Sequence, residues 1–285
     1  MMALSLPVRQ NIAKMRILEH ERLQRITSRS NALVKALRHG FTRNGVGPSD
    51  LIAVEGIRMV EEALRSGLRL HAIFFRETSA EHAGRLLKQV SPKAQAILLP
   101  EAIFDGAVPT ESPQGVAALI SPRKSRLDEM FGDASPMVMA SAGVQDPGNL
   151  GTLLRSAEAF GASGAVVLQG SVSVSNPKVV RASAGSVFRL PVVTAKFSDL
   201  LPELRRRGFR LVTTGSHKGT PIDQANLTGT LCIVVGNEGA GVPRAILQEA
   251  DESIVIPHAA TVDSLNAGVA ASLLLYEAAR QRRFS

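Results

Sequence analysis

The chain of 285 residues has one cysteine, no tryptophan, one tyrosine and only 4% aromatic residues. A disulfide framework is excluded. Cys232, within the apolar run Leu231-Cys232-Ile233-Val234-Val235, reads as a buried small hydrophobe in a reducing compartment. No apolar run reaches the roughly 18 residues that a membrane-spanning helix needs, so none is expected. Met1 to Leu18 lacks the long apolar stretch and small-residue cleavage site of a secretory signal, which points to the cytoplasm. Six histidines are scattered and none joins a Cys/His cluster at ligand spacing, so no metal site is expected. Also missing are a Gly-Lys-Ser/Thr phosphate loop and a G-x-G-x-x-G turn, which removes support for nucleoside triphosphate or dinucleotide binding. No pair of carboxylates forms a glycosidase or protease constellation.

What is present is globular material. Hydrophobic residues make up 45% and charged residues 20%, and the length suits two packed domains better than one. The 33 Lys and Arg outnumber the 25 Asp and Glu, giving +8, but the excess is uneven. Residues 1–43 hold nine basic residues against Glu19 and Glu21, a local +7, so the rest of the chain is nearly neutral. A basic leading segment on a neutral body points to a polyanion partner, because neutralising phosphates releases counterions. Arg25, Arg29, Lys35, Arg38 and Arg43 are its candidate phosphate contacts. A solvated basic helix without a partner is the competing reading.

Short apolar strands alternate with amphipathic helices almost throughout, the α/β pattern. In the first half, Ser30 or Asn31 caps a helix that stops at Gly40, and strands are expected at 51–54, 72–75, 96–99 and 116–120, with a helix over 57–65. The polar, Pro-containing stretch 121–136 reads as a linker. Strands are then expected at 137–140, 165–168, 209–213, 231–235 and 253–256. A last helix over about 265–282 carries apolar residues on most sides, as if buried on several. The expected organisation is a basic N-terminal extension over 1–43, a small α/β domain over 44–122 and a second α/β domain over 135–285.

Four polar segments carry candidate chemistry, mostly at carboxyl ends of later strands, where open α/β sheets place ligands. In Gln145-Asp146-Pro147-Gly148-Asn149-Leu150-Gly151, Asn149 reads as a helix cap, Gly151 lets a ligand or another chain segment approach, and Arg155 projects one turn later. An ordinary capped helix is the plain alternative. Asn176-Pro177-Lys178 through Arg181 places Lys178 and Arg181 on the opening turn of a helix, a place that receives anions or simply bears solvated charge. Gly236-Asn237-Glu238-Gly239-Ala240-Gly241 follows the most apolar strand; its glycines expose backbone groups, and Glu238 brings a carboxylate to the strand tip. Ile256-Pro257-His258 leads across a loop to Ser264-Leu265-Asn266, where small polar side chains either meet a substrate or cap the final helix.

The order and spacing of these segments resemble the SpoU (TrmH) class of RNA ribose 2′-O-methyltransferases, in the SPOUT superfamily. The first family motif is similar to Asn149 through Arg155, the second to Gly236-Asn237-Glu238-Gly239, and the third to Ile256-Pro257 through Ser264-Leu265-Asn266. Residues 135–280 carry this resemblance strongly. Residues 30–120, including Val54-Glu55-Gly56, more weakly resemble the family's small ribosomal-protein-like substrate-binding domain. The resemblance implies a C-terminal SPOUT α/β domain with a deep trefoil knot, a homodimer, and S-adenosylmethionine held near Thr214, Gly215, Gly236, Ile256 and Leu265. It implies catalytic roles for Asn149, Arg155, Glu238, Ser264 and Asn266. Family proposals make the arginine a base, but guanidinium stays protonated in proteins, so a cationic role suits Arg155 better.

Two departures stand out: the third motif commonly reads Ile-Pro-Met with a glycine two residues later, where this chain has His258 and Ala260. Scarce aromatics leave recognition of RNA to phosphate contacts and folded shape more than to base stacking. The expected substrate is rRNA, because the extra N-terminal domain resembles that of the rRNA-acting branch. A tRNA 2′-O-methyltransferase is the nearest alternative. A catalytically silent RNA-binding or ribosome-assembly factor with the same fold is another, against which the joint presence of Asn149, Arg155, Glu238 and Asn266 argues.

Overall fold

The computed structural model describes residues 22–42, 50–110, 112–132, 134–215, 218–259, 261–262 and 264–283. The chain forms two compact units, one of residues up to Pro122 with Ser175–Pro177, the other of Arg123–Val174 with Lys178–Ser285.

The first unit contains β1 (Leu23–Arg25), α1 (Ala32–Gly40), β2 (Ile52–Glu55), α2 (Ile57–Arg65), β3 (Leu70–Arg76), α3 (Ala83–Leu86), β4 (Gln95–Leu99), α4 (Glu101–Ala107) and β5 (Val116–Ile120). The sheet order is β1-β4-β3-β5-β2, with β5 antiparallel to both neighbours and the other pairings parallel. Every residue of β2 and β5 is buried, as expected of strands covered on both faces. Phe74, Ile97, Leu99, Phe104 and Leu119 form the core with Val34 and Leu37 of α1.

That last contact corrects the expected boundary at residue 43. Val34 and Leu37, three apart on one helix face, are fully buried, and β1 pairs with β4, so residues 23–40 are part of the first unit and not an extension ahead of it. Asn31 is the helix cap, its side chain accepting the Leu33 N–H at 2.8 Å. The arginines here also make contacts within the unit while staying largely exposed. Arg22 donates to the carbonyls of Leu87 and Ser91, Arg25 pairs with Glu77 at 2.7 Å, and Arg29 and Arg38 donate to the Ala102 and Gly106 carbonyls at 3.3 Å. Arg43 and residues 1–21 lie outside the described residues.

The second unit contains β6 (Met137–Ala142), α5 (Pro147–Ala159), β7 (Gly164–Leu168), α6 (Pro177–Ala182), α7 (Ser186–Arg189), β8 (Val192–Ala195), α8 (Phe197–Arg206), β9 (Arg210–Gly215), β10 (Thr220–Pro221), β11 (Leu231–Gly236), α9 (Arg244–Leu247), β12 (Glu252–Val255) and α10 (Ala267–Arg282). Its seven strands are all parallel, in the order β10-β12-β9-β11-β6-β7-β8. The strands that the sequence pattern missed, β1, β8 and β10, are sheet edges of two to four residues, too short for a periodicity to show.

The expected linker is partly core. A 3₁₀ turn over Leu127–Phe131 buries Met130 completely in the cluster that contains Val138 and Phe209, and a Cβ on Gly164 would come within 2.3 Å of the Met130 side chain. Burial of α10 is also narrower than its composition suggests. Ala271, Leu274, Leu275 and Ala278 face inward, while Val269, Leu273 and Tyr276 form an apolar stripe that is 39–54% exposed. Among the described residues no helix is long and apolar enough to cross a membrane.

Candidate active site at the strand ends of the second unit

In a parallel sheet every carboxyl end lies on one edge, so loops distant in sequence emerge side by side. Gly236 pairs with Ala142, Val234 with Thr213, and Ile254 and Val255 with Thr214 and Gly215. The tips of β6, β11, β9 and β12 are therefore neighbours, and with them Thr214, Gly215, Gly236 and Ile256.

The start of α5 differs from the sequence reading in an instructive way. Asp146, not Asn149, caps the helix: its carboxylate accepts the Asn149 N–H at 2.8 Å, and Pro147 occupies the first turn, where its missing N–H costs nothing. Asn149 thus sits inside the first turn with its side chain free for other work. Its Nδ2 donates to Glu238 Oε1 after β11, and its Oδ1 accepts from Asn266 Nδ2 at 2.8 Å. Asn266 caps α10 through the Val269 N–H at 3.2 Å. Glu238, Asn149 and Asn266 form one hydrogen-bonded series across three loops.

Close packing fixes the helices behind that series. A Cβ on Gly151 would lie 2.4 Å from the Ala182 Cβ and 2.9 Å from Val179 O, so the segment that approaches this glycine is protein chain and not a ligand. On the other side, a Cβ on Gly268 would lie 3.0 Å from Thr152 Cβ, and Ser156 and Ser272 share a hydrogen bond of 2.7 Å. Arg155 lies on the solvent side of α5, and among the described residues it makes no ion pair or hydrogen bond. Ser264 is exposed and Leu265 half-buried in the loop before α10. Lys178 and Arg181 are exposed on the six-residue α6.

At the third loop, His258 Nδ1 lies 2.7 Å from the Ile256 carbonyl; a carbonyl only accepts, so the imidazole donates. Ala260 is outside the described residues. Among those described, no group of three or more His, Cys, Asp or Glu is placed to hold a metal ion. Cys232 is buried, and burial pushes its thiol up to about 12, so it is no nucleophile. Sequence reasoning assigned no role to Asp146 or Asn237, whose signals were an Asp-Pro pair and an Asn just after Gly236 in a glycine-rich loop.

Residues 136–276 match the model of the SpoU rRNA methylase family, and residues 53–126 match that of the RNA 2′-O ribose methyltransferase substrate-binding domain. A 23S rRNA (guanosine(2553)-2′-O)-methyltransferase of Bacillus subtilis (strain 168) is 31% identical over 254 residues, covering 89% of this chain and 98% of the relative. An AdoMet-bound rRNA methyltransferase from Sinorhizobium meliloti superposes with a TM-score of 0.82 at 27% identity, over 91% of this chain and 98% of that one. The SpoU methyltransferase AviRb from Streptomyces viridochromogenes, also in complex with AdoMet, gives 0.80 at 28% identity, over 90% and 99%.

Proposed function

The chain belongs to the SpoU rRNA methylase family, and from that premise we propose that it methylates a ribose 2′-hydroxyl of ribosomal RNA in the cytoplasm, with S-adenosylmethionine as donor. The observation that carries this reading is the Glu238–Asn149–Asn266 series, which joins three loops at one sheet edge. The residues suit the donor. Thr214, Gly215, Gly236 and Ile256 supply backbone groups at adjacent strand tips, and half-buried Ile256 and Leu265 supply apolar surface for an adenosyl group. The Ile256 carbonyl keeps one lone pair beyond the His258 bond. The trefoil knot belongs to the same reading, supported by β11 inserting between β6 and β9 before the chain returns as β12 beyond β9.

The bound donor supplies an electrophilic methyl group on sulfonium; alignment with the acceptor oxygen provides much of the rate. Arg155, cationic and unpaired among the described residues, holds the neighbouring phosphate and stabilises charge developing on the ribose oxygen. Asn149, held by Glu238 and Asn266, fixes the opening turn of α5, the helix from which Arg155 projects, and Ser264 orients the ribose. RNA docks through exposed Arg25, Arg29, Lys35, Arg38, Lys178 and Arg181 together with Arg43. A second copy covers the Val269-Leu273-Tyr276 stripe, giving a homodimer.

Two measurements test the reading. Arg155→Ala abolishes methylation while calorimetry shows S-adenosylmethionine binding retained; activity within about tenfold of wild type, about 1.4 kcal/mol, removes the arginine from the chemistry. Mapping positions that resist alkaline hydrolysis in total RNA, with and without the gene, gives one position in rRNA. A position in tRNA instead overturns the substrate, and no position at all makes the protein a silent RNA-binding factor.

A further inference from the structure

The loop after β11 is closed on itself. Asn237 and Gly241 exchange backbone hydrogen bonds of 3.0 and 2.9 Å, and a Cβ on Gly236 would come within 2.2 Å of Gly241, so the chain can cross itself only without a side chain there. Inside this closure Asn237 uses both ends of its amide. Its Oδ1 accepts from the Gly239 and Ala240 N–H groups at 2.9 and 3.0 Å, and its Nδ2 donates to the Gly143 carbonyl, directly after β6, at 3.0 Å. These partners fix the amide orientation, since N–H groups only donate and a carbonyl only accepts. The Gly143 turn leads, three residues on, into the Asp146 cap that sets Asn149.

We infer that Asn237 is a positioning residue for methyl transfer, which fixes Glu238 against Asn149 by fastening both the loop that carries Glu238 and the turn that leads to Asn149. The inference rests on Glu238 and Asn149 serving the methyl-transfer site. Glu238 is the next residue along, and its carboxylate leaves the closed loop to meet Asn149, so a shift of either anchor moves one end of that bond. Asn suits the place because it offers a donor and an acceptor on one short planar group. Asp lacks the donor, and Ser or Ala cannot span both partners.

The experiment uses the full-length protein and its rRNA substrate. Asn237→Asp keeps the two loop-closing bonds but sets a carboxylate oxygen against the Gly143 carbonyl; Asn237→Ala removes all three bonds. Both variants should lower kcat by about ten- to a hundredfold, as displacements near 1 Å do, with KM for RNA unchanged and melting temperature little altered for Asn237→Asp. In a Glu238→Gln background, already slow, Asn237→Asp should add less than about twofold to the loss, because its effect passes through Glu238. A wild-type kcat in Asn237→Asp, or a loss that multiplies in full with that of Glu238→Gln, overturns the inference. If Glu238→Gln itself keeps full activity, the reading of Glu238 falls and this inference with it, an outcome distinct from a slow Glu238→Gln beside a fast Asn237→Asp.

Discussion

In the first unit four of five strands run one way and β5 runs against them, whereas all seven strands of the second are parallel. Both units therefore collect loops at an edge, but they fill that edge differently. In the first, Arg76 meets Asp105 at 2.8 Å and Glu101 at 3.6 Å, Arg25 pairs with Glu77, and Glu55 accepts the Gln114 N–H at 2.7 Å. There Arg76 and Arg25 are each held by carboxylates. In the second, a carboxylate and two amides bond in series across loops about a hundred residues apart in sequence, and Arg155 is left over. On the proposed function, the polar series joining three loops is what the second unit's edge adds to its architecture.

The largest expected effect comes from breaking one polar contact in each unit. Asn149→Asp replaces the donor to Glu238 with an oxygen and brings two carboxylates together, so methylation should fall by about 10²–10³ with the fold retained. Arg76→Gln loosens the first unit's edge, and surface-type pairs are worth about 0–1 kcal/mol, so it should lower stability slightly and leave kcat at saturating RNA unchanged. Single-turnover methylation beside chemical denaturation separates the two, and equal loss of activity in both variants would erase the contrast.

How the polar series was legible follows from the same contrast. Two of its members, Asn149 and Glu238, stand beside a glycine and the third, Asn266, between Leu265 and Ala267, and resemblance to a family gathered them, whereas no local pattern tells that residues 149, 238 and 266 touch. The parallel sheet does that by bringing β6, β11 and β12 to one edge. Periodicity placed most central strands because they are fully apolar runs such as Leu231 to Val235. It failed where tertiary packing decides. Charge made residues 22–42 look like a solvated arm, although Val34 and Leu37 already carried the spacing of a buried helix face, and Met130 looked like linker because one buried methionine has no period.

Backbone packing gives the next largest effects. Gly151→Val forces side-chain atoms into Ala182 and the Val179 carbonyl and should cost about 1–3 kcal/mol or more in the second unit, with activity lost as Asn149 moves. Gly67→Ala in the first unit meets no atom within 4 Å, and only its φ of +71° opposes it, a cost of about 1–2 kcal/mol without loss of kcat. Smaller still is relief of strain. Ala184 holds φ at +49°, so Ala184→Gly should stabilise by about 0.5–1 kcal/mol. Denaturation midpoints rank these three variants.

The smallest effect is a difference in acid sensitivity. His71 of the first unit lies 2.8 Å from the Ser121 hydroxyl, and burial, with Arg69 nearby, holds its pKa below the ordinary 6.5. The folded state therefore resists a proton that the unfolded chain accepts, so stability is lost as pH falls from about 6.5. In the second unit the shifted groups also lose stability on acidification, but at lower pH. Arg189 holds the Glu158 carboxyl below its usual range, and at Asp251 burial acts upward but is outweighed by the Leu211 N–H and Arg205. Those contributions persist above the ordinary carboxylate values of 4.5 and 3.8 and fade only as pH falls through the depressed ones. Between pH 6.5 and 5 the first unit should weaken while the second holds. Tyr276, the sole tyrosine in a chain without tryptophan, makes the second unit separately visible, so its fluorescence melt should stay put while the circular-dichroism melt of the whole chain broadens downward. His71→Gln should abolish that broadening, and a melt of Tyr276 that shifts in step with the rest would mean that the two units unfold as one.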